Sequence, residues 1–104
     1  MKDRGLQTEM LAGRLAALGH PARLEILRYL SEMEHCCCKD VVSRLDLAQS
    51  TVSQHLKVLV EAGLVQLTPN GQRSLYRIDR EALSGLSDSF GRLLSTCCAP
   101  GAKR

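Results

Sequence analysis

The chain has 104 residues, 44% of them hydrophobic, 24% charged and only 3% aromatic, with a formal charge of +3. These figures fit one domain with a modest aliphatic core and permit a nucleic-acid partner without demanding one. They exclude a membrane span, because no run nears the roughly 20 apolar residues that a bilayer requires. The opening MKDRGLQTEM carries no apolar run of the leader type, so the expectation is a cytoplasmic protein with reduced thiols and no membrane partner.

From Leu6 to Leu18, the residues Leu6, Met10, Leu11, Leu15 and Leu18 recur at helical spacing until Gly19 breaks the pattern. HPARLEILRYL then opens a second helix, with Pro21 at its first position and His20 as its cap rather than a metal ligand. Leu24, Leu27 and Leu30 are its expected buried stripe. EHCCCKD follows, setting Cys36, Cys37 and Cys38 side by side, and a second pair, Cys97 and Cys98, stands near the other end. Five is an odd count, and immediate neighbours are poorly placed to bridge each other, so a disulfide scaffold is the weaker reading.

Asp40 to Leu45 reads as a short helix carrying Val41, Val42 and Leu45. Leu47 and Ala48 make a tight turn, and Ser50 or Thr51 is expected to cap the next helix, with Gln54 completing a capping box from Thr51. In that helix Val52, Leu56, Leu59 and Val60 face inward, while Ser50, Gln54, Lys57 and Glu61 face away; Gly63 ends it. The period then changes to that of two short strands around Asn70-Gly71, a hairpin signal. Arg80 to about Cys98 returns to helix, where Leu83, Leu86, Phe90, Leu93 and Cys97 form a short run of heptad character. One small domain has little room to bury this stripe and that of the first helix, so dimerisation through the first and last helices is expected.

The resulting fold class is mainly α with a small β-hairpin: one winged helix-turn-helix domain over residues 1–104, with the helix-turn-helix at about 39–62, the wing at about 64–78 and the dimerisation helix at about 80–98. In such a fold the second helix enters the DNA major groove, and a dimer reads two half-sites. Gln54 can bond adenine in bidentate fashion, and Gln49, Ser50, Thr51 and Ser53 can reach base edges or phosphates. Lys57 can neutralise a phosphate, as can His55, and Arg73 is placed beyond the hairpin turn to grip the backbone or minor groove; Arg77 is a weaker candidate. No nucleophile-base pair or phosphate-cradling glycine loop points to an enzyme.

HPARLEILRYL, LAQSTVSQHLKVLVEAGLV and the hairpin with GQRSLYRI closely resemble the ArsR/SmtB family of metal- and metalloid-sensing repressors, from about Leu15 to Asp79. The resemblance implies a winged-helix homodimer that sits on palindromic double-stranded operator DNA and leaves it when an inducer binds. In the arsenic- and cadmium-responsive branch, a motif of the form ELCVCD precedes the recognition helix. Aligned on Asp40, Cys37 takes the first motif cysteine, Cys38 the intervening position and Lys39 the second; aligned on Glu34, Cys36 and Cys38 take the two cysteines. A further thiol common in that branch falls where this chain has Val41 and Val42. Some members also bind arsenic through adjacent cysteines late in the last helix, the place of Cys97 and Cys98.

Thiolates are the soft ligands among side chains, and a helix start together with Lys39 is expected to lower the pKa of Cys36 to Cys38. Zinc favours four ligands, often spaced and mixed with histidine, whereas clustered thiols suit a three-coordinate ion. Asp79, Glu81 and Asp88 have no histidine beside them, against the family's zinc pattern, and His35 is a secondary zinc candidate. The expected function is a repressor released when As(III) or Sb(III) binds Cys36, Cys37, Cys38, Cys97 and Cys98 in some combination, with no organic cofactor. The alternatives are a thiol-redox or persulfide switch on the same fold, a zinc, cadmium or lead sensor, and a metal-buffering protein.

Overall fold

Each boundary in the fold traces to a few residues with special backbone chemistry. The structure is a computed structural model that describes residues 2–100. It contains α1 (Lys2–Leu18), α2 (Pro21–Glu32), α3 (Cys38–Leu45), α4 (Gln49–Glu61), β1 (Val65–Asn70), β2 (Arg73–Ile78) and α5 (Arg80–Cys98). No described helix is long and apolar enough to cross a membrane. Pro21 stands at the start of α2, and the His20 imidazole accepts the Ala22 N–H through Nδ1 at 3.0 Å. The cap expected of His20 is present.

The turn from α3 to α4 is made by Asp46, which adopts the left-handed conformation (φ 56°) as the C-cap of α3 and donates its N–H to the Val42 carbonyl at 2.9 Å. This turn starts α4 earlier than the hydroxyl residues suggest. Ala48 is the N-cap, extended at φ −62° and ψ 147°, and its carbonyl takes the Val52 N–H. Ser50 and Thr51 therefore lie inside the first turn, exposed, and no side chain caps α4. The expected capping box is absent because the turn, not a hydroxyl, sets where the helix begins.

At the other end Gly63 (φ 79°) donates to the Val60 carbonyl at 2.9 Å and Leu64 to the Leu59 carbonyl at 3.1 Å, a Schellman closure that only a residue tolerant of positive φ accepts easily. It turns Leu64 into the core, where it is fully buried. In the antiparallel hairpin, Val65 pairs with Ile78 and Asn70 with Arg73. The two-residue turn is thus Gly71-Gln72, one residue later than the sequence suggests. Gly71 supplies the positive φ (66°) at its first central position, the pattern of a type II′ turn. Asp79 caps α5 by accepting the Ala82 N–H at 3.0 Å, and its second oxygen takes the Gln66 side-chain amide at 3.2 Å. Arg77 in turn donates to Gln66 at 3.0 Å, tying the root of the wing to the last helix.

The core gathers Ile26 and Leu30 from α2, Val41 from α3, and Val52, Leu56 and Leu59 from α4, all fully buried with Leu64. The expected α2 stripe is corrected. Leu30 is buried and Leu27 packs at the core margin, but Leu24 is 44% exposed and Ile26 takes the inward place. The inward row of α2 follows i to i+4 spacing from Ile26 to Leu30, set by the side on which α3, α4 and β2 pack. Outside the core, α1 lies against α5, and large apolar side chains remain uncovered on both: Leu6 at 60% and Met10 at 58% on α1, Leu93 at 46% and Leu94 at 45% on α5.

Candidate nucleic-acid interface and thiol loop

With Val52, Leu56 and Leu59 turned inward, the start of α4 is left to solvent. Gln49, Ser50, Thr51, Ser53, Gln54 and Lys57 are all exposed there. Ser53, Gln54 and Lys57 line one wall of a cleft of about 300 Å³ whose other wall is Leu67 and Tyr76 of the hairpin. Arg73 is exposed at the start of β2, while Arg77 is engaged by Gln66 at the wing root. Uncapped N–H groups at the start of α4, hydroxyls, two amides and two free cations suit phosphates and base edges.

His55 stands apart from this group. It is half-buried at the seam of α2 and α4, where its Nδ1 accepts from Arg23 Nε at 3.2 Å and its ring lies 4.4 Å from that of His20. Burial, then His20 and Arg23, hold its pKa below the ordinary histidine value, so near neutral pH it offers a hydrogen bond rather than a charge. Arg23 also donates to the Ala16 and Ala17 carbonyls at 3.3 and 3.1 Å, fastening the end of α1 to this seam.

Three of the five cysteines sit where α3 begins. Cys36 is 2% exposed and Cys37 6%, Cys38 is half-buried, and Cys97 and Cys98 are exposed at the end of α5; all five are free thiols. The Cys36 backbone pairs with the wing strand as an isolated bridge: its N–H donates to the Tyr76 carbonyl at 3.0 Å, and the Tyr76 N–H donates back at 2.8 Å. Cys37 is the N-cap of α3, and its N–H and its thiol both donate to Oδ2 of Asp40, at 3.0 and 3.3 Å.

The expectation that the helix start lowers these pKa values is corrected for two of the thiols. Burial, reinforced by Asp40 and Cys37, pushes Cys36 up to about 11. Burial and Cys37 also raise Cys38. Desolvation of the charged form outweighs a helix end whose influence is confined to one turn.

A raised pKa means that the folded state holds its proton where the unfolded state has released it. The contribution of Cys36 is therefore intact below pH 9 and is lost as pH rises through about 11. A two-unit shift corresponds to roughly 2–3 kcal/mol. Thermal melts at stepped pH should show the wild type losing stability across this window by up to that amount more than Cys36→Ala does.

Among the described residues, no three His, Cys, Asp or Glu side chains converge as a ready-made metal site. As placed, neither cysteine group brings three such side chains together within the described residues. Sequence reasoning did not single out Asp40 or Tyr76. Asp40 carried a signal, three residues after the Cys37 cap; Tyr76 carried none, because its role arises from backbone pairing between distant segments.

The family described as bacterial regulatory protein, arsR family, matches residues 20–66. An arsenical resistance operon repressor from Staphylococcus xylosus is 37% identical over 76 residues, covering 73% of this chain and 72% of that protein. Among solved structures, an ArsR-like transcriptional regulator from Rhodococcus sp. RHA1 superposes with a TM-score of 0.76 at 26% identity, covering 86% of this chain and 83% of that one. A possible transcriptional regulator for arsenical resistance superposes at 0.70 with 29% identity, covering 77% and 82%. The chain therefore belongs to the ArsR family of winged helix-turn-helix transcriptional repressors, DNA-binding proteins rather than enzymes.

Proposed function

We propose that this chain is a dimeric, metalloid-responsive repressor that holds palindromic operator DNA while its thiols are free and leaves it when As(III) or Sb(III) is captured by cysteine sulfur. The observation that carries this reading is the seat of Cys36, Cys37 and Cys38 at the root of the helix-turn-helix, with Cys36 backbone-paired to the wing. A change at these sulfurs reaches both DNA-contacting elements through single connections. The names of the relatives, which concern arsenical resistance, support the same inducer.

The state of the thiols favours arsenous acid over a divalent cation. Arsenous acid condenses with three thiols to give a trithiolate and three waters, each sulfur passing its proton to a departing hydroxide. Capture of a cation such as zinc instead releases each thiol proton to solvent, which the raised pKa values of Cys36 and Cys38 oppose. Cys36 lies in the core, so its capture loosens the packing of the loop where it meets the wing. Couplings between sites are typically about 1–3 kcal/mol, enough to derepress a promoter. Cys97 and Cys98, exposed on α5, can complete a site across the dimer or form a separate one.

The uncovered Leu6, Met10, Leu93 and Leu94 on α1 and α5 support a dimer through these helices. Two-fold symmetry would then present two copies of α4 to a palindrome. Gln49, Ser50, Thr51, Ser53, Gln54, Lys57 and Arg73 are the proposed DNA contacts, with His55 acting through its hydrogen bond. The test is fluorescence anisotropy of the reduced protein on promoter DNA, titrated with arsenite, antimonite, zinc, cadmium and polysulfide. Release by the metalloids at stoichiometric levels is the expected result. Release by polysulfide with indifference to metalloids would overturn the proposal in favour of a redox switch.

A further inference from the structure

We infer that Asp40 is the positioning residue that converts capture at Cys37 into loss of DNA grip, by exchanging its Cys37 hydrogen bonds for an ion pair with Arg73 on the wing. This inference rests on the metalloid reading above and names the route by which it acts.

In the free protein the Asp40 carboxylate is occupied by Cys37, whose N–H and S–H both donate to Oδ2. Asp40 is nonetheless exposed, so it can turn without leaving a core. Arg73, at the start of β2, is also exposed and is close enough that its charge adds to those hydrogen bonds in lowering the Asp40 pKa. Among the described residues, however, Asp40 and Arg73 form no ion pair. The backbone bridge between Cys36 and Tyr76 holds the cysteine loop against the strand that carries Arg73. A charge pair is thus available and unmade, with one member held by a thiol.

Capture breaks the Cys37 S–H bond. Sulfur bonds to arsenic, and the proton leaves with a hydroxide of arsenous acid as water. Asp40 then faces a sulfur that no longer donates, 3.3 Å away in the starting geometry. Two acceptors at that range repel, and an unspent cation whose charge already acts on Asp40 is Arg73 on the wing. Pairing with it withdraws Arg73 from a DNA phosphate and leaves the first turn of α3 without the carboxylate that braced it. Both changes weaken DNA binding in the same direction.

Asp40→Asn keeps an oxygen for the Cys37 N–H but cannot pair with a guanidinium as a charge. Two readouts separate capture from response: near-UV absorption of the arsenic–sulfur bond for occupancy, and anisotropy for DNA affinity. The wild type should weaken on arsenite by roughly 5- to 150-fold, the usual range for coupled sites, and Asp40→Asn by only about 2-fold while its site still fills. Arg73→Gln, on an exposed strand position, tests the other end without touching the cap. It should weaken DNA binding with and without arsenite and also shrink the ratio between them, and the double variant should shrink that ratio no further.

An occupied Asp40→Asn that retains the wild-type ratio would overturn the inference, as would losses in the two variants that simply add. If the wild type itself is not released by arsenite, the metalloid reading fails, and the exchange with it.

Discussion

Leu56→Ala should destabilise the fold by about 2–5 kcal/mol, the cost of a cavity at a fully buried leucine. Leu56 is 0% exposed and packs in the cluster that includes Ile26, Leu30, Val41, Val52 and Leu59. It comes from α4, the helix whose opposite side carries Gln54 and Lys57. A small domain holds only about 5–15 kcal/mol in total, so the loss is a large share of it. For a chain of this size the melting temperature should fall by at least about 10 °C in a circular-dichroism melt. A fall of only a few degrees would mean that this face of α4 is not the centre of the core. DNA binding should fall with the folded fraction, because truncation at Leu56 touches no proposed DNA contact.

Serine at Cys36, Cys37 and Cys38 together should abolish release by arsenite, removing a coupling of roughly 1–3 kcal/mol. DNA binding should survive. Serine keeps a hydroxyl at the Cys37 cap, where it serves at least as well as a thiol, and the bridge to Tyr76 is made by backbone. The cost falls on stability, because a serine at the position of Cys36 places a hydroxyl in the core. Anisotropy on promoter DNA, run at a temperature where circular dichroism shows the variant folded, separates the two effects. Full release of this variant by arsenite would move the switch to Cys97 and Cys98. The matching pair of serines there should leave the response in place, or reduce it if those thiols complete the site.

Features resting on one residue's own chemistry were legible in the sequence. Pro21 and His20 start α2, Gly63 ends α4, and α5 runs over the residues expected of it, from Arg80 to Cys98. Features decided by competition between neighbours were less so. The leucines at 24, 27 and 30 fit a helical stripe, but so does the row through Ile26, and only the packing of α3 and β2 chooses between them. Ser50 and Thr51 have the chemistry of caps, yet the left-handed turn at Asp46 fixes the start of α4 ahead of them.

The thiols show a third kind of limit. That cysteines begin a helix was readable, and a helix end does favour thiolates. Their burial was not readable, because it depends on β2 arriving from far along the chain to cover Cys36. Burial reverses the direction of the pKa shift. The same long-range pairing makes the loop a part of the wing, which no local pattern discloses.

Capture at the cysteine loop should loosen its seat against the wing and the first turn of α3. Hydrogen–deuterium exchange of the DNA-free protein tests this most directly at the amides of Cys36 and Tyr76, each of which donates to the other residue's carbonyl in the free state, at 3.0 and 2.8 Å. With stoichiometric arsenite, both amides and the first turn of α3 should exchange faster. Unchanged protection at these amides, with the response confined to the end of α5, would place the switch at Cys97 and Cys98 instead of the cysteine loop.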